Sequence, residues 1–333
     1  IFVIITLIFT KKGEKGMACK VISVINWKGG VGKTTLTYHL GTGLQRLNKA
    51  EREKYLGKAD YPRVLLVDND AQCSLSVSCL GDKHFEDLVY KHGHPTVMQL
   101  YNHYLVHEED YGFTVKDCLV KQSVRAKENQ VFSGIDLLPA HQSLIYTDMD
   151  IAVYEKANHR SSLLGSKVYK FQMLKHMLDS VKDDYDYIFI DCPPNLNFIT
   201  LNAIYASDYY LIPTLLDKLS TYGISSITNK IDELHRDFYL SDPFYEAAEL
   251  IGIVANCVTE RNQAPKQTEL NTLQNLQMEF ADLVFTNYLT RGDGIPKAFE
   301  QGFPVYALAD SKGNAGKQSE LLLKILQEML ERI

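Results

Sequence analysis

The sequence lacks the features that mark fibrous, membrane-spanning and metal-cluster proteins. None of its six cysteines forms a CxxC pair, which argues against a zinc ribbon or a redox motif. No apolar run reaches the roughly 18 residues needed to cross a bilayer. The net charge is only -6, with 45% hydrophobic and 23% charged residues, as in ordinary globular chains. This mild acidity argues weakly against a strongly basic nucleic-acid-binding protein.

The first residues do not fit a secretory signal. Ten apolar or hydroxyl residues precede the basic stretch "KKGEKG" and Met17, whereas a signal peptide carries its positive charge first. We therefore expect Met17 to be the start of the protein and residues 1–16 to be upstream sequence. The alternative is a short N-terminal segment that touches a membrane.

Short apolar runs alternate with helical stretches along the chain. Strand-like runs occupy residues 20–27, 63–68, 135–140, 185–192, 208–214 and 250–258. Helix candidates occupy residues 33–48, 142–156, 166–181, 220–238, 265–280 and 316–332. Several runs are continuously apolar, as in strands that are buried on both faces of a parallel sheet. The alternation predicts one α/β domain over residues 17–333.

Residues 82–120 interrupt this alternation. The segment is rich in His and Tyr, carries seven acidic against three basic side chains, and has no clear strand pattern. Its histidines do not follow a recognised metal-ligand spacing. We interpret the segment as a solvated helical insertion in the domain.

A glycine-rich turn follows the first predicted strand and opens a helix. The stretch "KGGVGKTT" spans residues 28–35 and is a variant of the GxxxxGK[ST] phosphate loop. Its glycines let backbone N–H groups converge on a phosphate chain, and the helix N-terminus adds its dipole. In such a loop Lys33 reaches the β- and γ-phosphates, and the Thr34 hydroxyl can bind Mg²⁺.

The octamer also resembles the deviant Walker A box of the ParA/MinD ATPases, whose signature lysine precedes the glycines. The resemblance implies a P-loop NTPase fold: a mostly parallel twisted sheet flanked by helices on both faces. It implies that Lys28, the signature lysine, reaches the nucleotide of a dimer partner. The predicted ATP-binding residues are Gly29, Gly30, Val31, Gly32, Lys33, Thr34, Thr35 and Asn256.

Two aspartate boxes extend the resemblance. "RVLLVDNDAQ" at 63–72 resembles the second box of the family, with Ala71 in place of the usual proline. The resemblance implies that Asp70 positions or activates the attacking water and that Asp68 supports the Mg²⁺ shell. "YDYIFIDCPP" at 185–194 resembles a Walker B element, in which Asp191 holds Mg²⁺ through water. The predicted catalytic residues are thus Lys28, Lys33 and Asp70, and the metal-site residues are Thr34, Asp68 and Asp191.

The C-terminal third resembles the same family more weakly. Asn256 ends a predicted strand at the position where family members contact the adenine. Residues 294–308 resemble the helix and loop that close over the base.

The best-matching branch is the ParA-type partition ATPase. The branch implies Mg²⁺-dependent ATP hydrolysis, an ATP-bound homodimer, non-specific DNA binding and a ParB-like centromere-binding partner. We therefore expect a cytoplasmic protein that is nucleoid-associated when ATP-bound, used in plasmid or chromosome partition. A MinD-like or other regulatory ATPase that positions a cargo without DNA is the alternative. The last helix carries no net charge, so no stable membrane association is expected.

Two basic clusters are candidates for DNA contact. The first lies at 155–175 and includes Arg160, Lys167 and Lys170; the second is formed by Arg261 and Lys266. Basic clusters of this kind supply non-specific phosphate contacts, although most charge clusters are simply solvated surface.

Overall fold

A six-stranded parallel sheet forms the centre of the protein. The computed structural model describes residues 18–106, 114–125, 132–154, 168–308 and 313–333. The strands are β1 (Lys20–Val24), β2 (Val64–Asp68), β3 (Ile135–Leu138), β4 (Tyr187–Asp191), β5 (Tyr209–Leu215) and β6 (Glu249–Asn256). Their order across the sheet is β3-β2-β4-β1-β5-β6, with every pairing parallel. Each strand overlaps one predicted run and extends at most one residue beyond it.

Helices connect the strands and cover both faces of the sheet. They are α1 (Lys33–Gly43), α2 (Lys49–Leu56), α3 (Ser74–Leu80), α4 (Asp82–Phe85), α5 (Val97–Val106), α6 (Val115–Cys118), α7 (Leu144–Val153), α8 (Tyr169–Asp179), α9 (Phe198–Ala206), α10 (Lys218–Ser241), α11 (Gln267–Phe280), α12 (Gly294–Glu300) and α13 (Asn314–Leu330). A π-helical turn covers Glu86–Lys91, and 3-10 turns cover Leu44–Arg46, Lys182–Asp184, Ala281–Leu283 and Val305–Leu308. A small antiparallel hairpin pairs β7 (Glu260–Arg261) with β8 (Ala264–Pro265).

Alternate residues of each strand enter opposite core layers. Along β4, for example, Ile188 and Ile190 pack with α5, α7, α8 and α9, whereas Tyr187 and Phe189 pack with α1, α3 and α13. All of these strand residues are fully buried. Burial on both faces explains why the strands read as continuous apolar runs. The predicted α/β fold, a parallel sheet flanked by helices on both faces, is confirmed.

The predicted insertion at 82–120 is mainly helical among its described residues, but it is not solvated throughout. Val97, Leu100 and Tyr101 of α5 are buried in the core layer that contacts the sheet. The aromatic and aliphatic residues of this segment therefore contribute to the fold. Residues 1–16 lie outside the described part of the chain. Among the described residues, no helix is both long and apolar enough to cross a membrane.

The parallel sheet brings the ends of distant strands to one edge. β1 lies between β4 and β5, so the turn after β1 is flanked by the carboxyl ends of both neighbours. Asp68 and Asp191 end adjacent strands and face each other in register. Ligands of open α/β sheets bind at this edge.

Candidate nucleotide-binding site

The turn between β1 and α1 has the backbone of a phosphate-binding loop. Gly30 and Gly32 have φ values of +73° and +93°, which residues with a side chain rarely adopt. A Cβ on Gly32 would also lie 1.8 Å from Asn256 Nδ2. Asn256 itself donates from Nδ2 to the Val31 carbonyl at 2.8 Å. The strand end at β6 thus holds the loop against the N-terminus of α1, where N–H groups without helical partners favour an anion.

Lys33 is buried at the first position of α1. Its Nζ donates to the Lys28 carbonyl at 3.1 Å, so the side chain folds back over the loop. Burial lowers the pKa of Lys33, and the nearby carboxylates of Asp191 and Asp70 partly offset this effect. A partly desolvated ammonium group inside a loop of backbone N–H groups is well suited to a phosphate chain.

Thr34 and Asp191 form a short hydrogen bond across the edge of the sheet. Thr34 Oγ1 donates to Asp191 Oδ2 at 2.6 Å. Within the described residues, Asp191 Oδ1 is buried and has no hydrogen-bond partner. Burial raises the pKa of Asp191 well above its usual range, and the neighbouring Asp68 adds to the shift. The pair therefore offers a hydroxyl oxygen and a carboxylate oxygen, both of which are suitable ligands for a hard cation.

Asp68 and Asp70 occupy different environments at the end of β2. Asp68 is fully buried, and its Oδ2 accepts from the N–H and the hydroxyl of Ser76 at 2.8 and 2.7 Å. Burial raises the pKa of Asp68 to about 7. Asp70 lies nearer the surface of the site, where its Oδ1 accepts from the Gln72 N–H at 3.0 Å. Burial raises the pKa of Asp70 as well.

A cavity of about 460 Å³ opens beside these groups. The phosphate-loop end is lined by Gly29, Gly30, Gly32, Lys33, Thr34 and Thr35, with Asp70 at its side. Asn256 lies against the loop, and Cys257, Arg291 and the α12 residues Ile295, Pro296 and Phe299 line another part of the wall. The cavity thus combines a polar, positively charged part at the loop with apolar side chains from α12. A nucleoside triphosphate has the same polarity, and the volume lies within the usual range for small-molecule sites.

The donor set fits Mg²⁺ held together with phosphates. Thr34 Oγ1 and Asp191 supply hard oxygen ligands, and Asp191 Oδ1 has no other described partner. Across the described ranges, no three His, Cys, Asp or Glu side chains converge on one metal position. Mg²⁺ is usually bound by one or two carboxylates plus substrate phosphates rather than by an all-protein cage. The residues present therefore suit a magnesium–nucleotide complex.

Lys28 points away from the cavity towards α10. Its Nζ donates to Asp217 Oδ2 at 3.0 Å and to Ser220 Oγ at 2.6 Å. Asp217 is also the N-cap of α10, since its side chain accepts from the Ser220 N–H. The ion pair is about two-fifths exposed on both partners. The signature lysine is therefore held within its own chain in this structure.

Comparison with known proteins assigns the chain to a family. A family profile described as an AAA domain, AAA_31, matches residues 19–241, which include the phosphate loop and the strands that end in Asp68 and Asp191. The chain belongs to the ParA/MinD family of P-loop ATPases. The predicted P-loop NTPase fold is thereby confirmed.

Proteins similar to this ParA/MinD-family chain include one relative in sequence and two matches in fold. The sporulation initiation inhibitor protein Soj of Bacillus subtilis is 27% identical over 286 residues, which cover 86% of this chain and 90% of Soj. McdA of Cyanothece, solved in complex with ATP, has a TM-score of 0.68 at 17% identity and covers 95% of this chain and 98% of its own. Cobyrinic acid a,c-diamide synthase of Mycobacterium smegmatis, solved with an ATP analog and magnesium, has a TM-score of 0.60 at 22% identity and covers 90% and 91%. The structural likeness shows a common fold, and a fold hosts many functions.

Most predicted site residues of this ParA/MinD-family protein meet at one edge of the sheet. Gly29, Gly30, Gly32, Lys33, Thr34, Thr35, Asp70 and Asn256 line the cavity, and Asp191 lies beside Thr34. Val31 is buried behind the loop with its carbonyl bound by Asn256, and Lys28 faces Asp217 instead of the cavity. Asp68 is fully buried and does not line the cavity. Its carboxylate oxygens accept hydrogen bonds from Ser76 and from the N–H of Asp70.

The predicted DNA contacts differ in their exposure where the structure describes them. Lys170 is buried, with 7% of its surface exposed, and its Nζ donates to the Ala152 carbonyl at 2.8 Å. The prediction for Lys170 is therefore wrong, because a buried ammonium that is already bonded to the backbone does not reach a phosphate. Arg160 and Lys167 lie outside the described residues. Arg261 and Lys266 are exposed, at and beside the small hairpin.

Sequence reasoning missed three groups around the site. Ser76 binds Asp68, Asp217 pairs with Lys28, and His39 joins α1 to Val305. An aspartate just before a helical stretch is an N-cap signal, so Asp217 could have been found as a cap. Its pairing with Lys28 had no sequence signal, because 189 residues separate the two.

Proposed function

We propose that this protein is a Mg²⁺-dependent ATPase whose nucleotide state switches a homodimer that binds DNA non-specifically, in plasmid or chromosome partition with a ParB-like partner. One observation carries the ATPase proposal: Lys33, the Thr34–Asp191 pair and Asp70 meet at one cavity that is also lined by apolar side chains of α12. Family membership supports the same assignment.

The residues of the phosphate end would stabilise the charge of the transferring phosphoryl group. Lys33 and the loop N–H groups face that end, and their fixed positions avoid reorganisation during the reaction. Lys28 would add a second positive charge after leaving Asp217, in the dimer that the resemblance implies. Mg²⁺ bound near Thr34 and Asp191 would neutralise the charge that develops on the β- and γ-phosphates.

Asp70 would orient the attacking water. Its carboxylate lines the cavity beside the loop, and the Gln72 N–H fixes one of its oxygens. Asp68 would support this arrangement from below, since it accepts from the Asp70 N–H at 3.3 Å. Turnover without a partner is expected to be slow, as in the family that the sequence resembles.

Single-turnover hydrolysis tests the enzyme assignment. Asp70→Ala should bind ATP with Mg²⁺ but release phosphate at least about 100-fold more slowly, as expected for loss of a water-orienting group. Lys33→Ala should lose ATP binding in calorimetry. Asp150→Ala, which removes an exposed carboxylate of α7, is the matched control and should behave as wild type. Wild-type hydrolysis by Asp70→Ala would remove the role assigned to that residue.

DNA binding is tested on the hairpin. With ATP and the Asp70→Ala background, a non-specific duplex should be shifted at low salt, and the affinity should fall steeply as salt rises. Arg261→Ala combined with Lys266→Ala should weaken this binding, whereas Lys49→Ala combined with Lys324→Ala should not, although it removes the same charge. Absence of any shift would favour the MinD-like alternative, a regulatory ATPase that positions a protein cargo without DNA.

The proposed place of action is the cytoplasm, with association to the nucleoid in the ATP state. Fluorescence microscopy of a tagged chain tests this in cells. The Lys33→Ala variant should be diffuse, because it does not reach the ATP-bound dimer. An equally nucleoid-bound Lys33→Ala variant would contradict the proposed switch.

A further inference from the structure

His39 lies on α1, six residues after Lys33, and both nitrogens of its ring have backbone partners. Nδ1 lies 2.8 Å from the Thr35 carbonyl oxygen, and Nε2 lies 3.1 Å from the Val305 nitrogen. A backbone N–H can only donate, so Nε2 accepts and the ring proton is assigned to Nδ1, which donates to Thr35. The ring is fully buried, and burial lowers the pKa of His39 to about 4, consistent with a neutral imidazole.

Two residues in contact with His39 line the cavity from different elements. Thr35 of α1 lines it beside the phosphate loop, and Phe299 lines it with the other apolar side chains of α12. Val305 begins the 3-10 turn that follows α12, and the next residue, Tyr306, donates from its hydroxyl to the His39 carbonyl at 2.7 Å. The imidazole also packs against the rings of Phe299 and Tyr306, with centroids 6.5 and 5.8 Å away. His39 therefore contacts both the helix that follows the phosphate loop and the segment from α12 to the turn after it.

The hydrogen bond to Val305 is the polar link from the His39 ring to the segment after α12. Val305 is fully buried, so loss of the acceptor would leave an unsatisfied N–H inside the core. The turn would then shift to find another partner. The backbone between Phe299 and Val305 is short and tightly bonded, with the Phe303 N–H donating to the Ala298 carbonyl at 3.0 Å. A shift of the turn would therefore move Phe299.

We propose that His39 is a positioning residue for the nucleoside end of the cavity: it holds α12 and the turn after it at the separation from α1 that the base and ribose require. The inference rests on the proposed function, since it takes the cavity to be a nucleotide site. His39 would set the affinity for the nucleoside part of the ligand and leave phosphate binding by the loop unchanged.

Two substitutions at His39 differ in whether they keep the hydrogen-bond acceptor that Nε2 provides. His39→Gln places an amide oxygen near the position of Nε2 and can still accept from Val305, whereas His39→Asn is too short to do so. We expect the Asn variant to bind ATP about tenfold more weakly in calorimetry, and the Gln variant to stay within about threefold of wild type. Binding of inorganic tripolyphosphate, which uses only the loop, should be unchanged in both.

Tyr38→Phe is the matched control. Tyr38 adjoins His39 on α1, and its buried hydroxyl has no hydrogen-bond partner among the described residues, so its removal should change neither affinity. Should the Asn variant fail to fold, Tyr306→Phe tests a second bond between the same two segments. It removes only the hydroxyl that donates to the His39 carbonyl. It should weaken ATP binding several-fold and spare tripolyphosphate.

The outcomes separate this inference from the proposed function. A wild-type protein that binds tripolyphosphate but not ATP would contradict the nucleotide site itself. A wild-type protein that binds ATP, with the Asn and Tyr306→Phe variants equally tight, would overturn the role of His39 alone. Parallel losses for ATP and tripolyphosphate, together with a lower melting temperature, would show a purely structural role.

Discussion

Lys28 Nζ lies 3.0 Å from Asp217 Oδ2, and this ion pair joins the phosphate loop to the N-terminus of α10. The lysine that the resemblance assigns to the partner's nucleotide is thus bound within its own chain. For Lys28 to act across a dimer, its bonds to Asp217 and Ser220 must first break. The pair is therefore expected to oppose dimerisation.

Asp217→Asn should favour the ATP-bound dimer. Asparagine is an equally good N-cap, so α10 keeps its cap while the charge that holds Lys28 is removed. Exposed ion pairs contribute about 0.2–1 kcal/mol each, and a symmetric dimer breaks two of them, so the dimerisation constant should rise by between about twofold and about 30-fold. Sedimentation equilibrium with ATP in the Asp70→Ala background measures it. Glu233→Gln, which removes a similarly exposed paired carboxylate from the same helix, should have no effect; an unchanged constant for Asp217→Asn would refute the idea.

Gly32→Ala should destabilise the protein through the loop itself. The residue has a φ of +93°, and a Cβ there would overlap Asn256. Left-handed backbone costs about 1–2 kcal/mol for a residue with a side chain, and the overlap adds to this. Thermal unfolding should therefore show a lower melting temperature. Gly29→Ala is the control, because its Cβ would meet no described atom within 4 Å; equal melting temperatures for both variants would contradict the loop geometry.

The buried imidazole of His39 should make stability depend on pH. Its pKa is about 4 in the folded protein, below the ordinary value of 6.5. Between these values the unfolded chain binds a proton that the folded chain does not, so the free energy of unfolding falls as the pH falls from 6.5 towards 4. This difference between the two pKa values lowers the free energy of unfolding by about 3 kcal/mol at about pH 4.

Urea unfolding of wild type and His39→Gln at several pH values isolates this effect. The other titrating groups are common to both chains, so the difference between them reports on His39. The wild type should lose more stability than the variant on going from pH 7 to pH 5. Parallel pH profiles would mean that folding does not lower the pKa of His39.

Trp27 should report nucleotide binding. It is the sole tryptophan, it is 37% exposed, and it precedes Lys28 at the mouth of the loop. Its emission should therefore change when ATP and Mg²⁺ are added to saturation. The Lys33→Ala variant should show no such change. Constant emission from a wild-type protein that calorimetry shows to be saturated would place the nucleotide away from this loop.

Much of the site was predictable from the sequence because it is local. The phosphate loop is a continuous turn between a strand and a helix, and its glycines and Lys33 are recognisable by spacing alone. The strands that end in Asp68 and Asp191 were equally clear, since a strand buried on both faces is a continuous apolar run. Family resemblance then supplied the roles of these residues.

Only the tertiary structure decided how distant residues meet. The sheet order places β4 between β1 and β2, which brings Thr34 to Asp191, and the start of α10 lies beside the loop, which brings Asp217 to Lys28. The same packing buries Lys170 and makes a charge that looked exposed unavailable to DNA. The spacing of residues in the sequence indicates local backbone structure. The exposure of a side chain and its bonding partners depend on which elements pack together. That is why the loop was identifiable in advance and the bonds of Lys28, Lys170 and His39 were not.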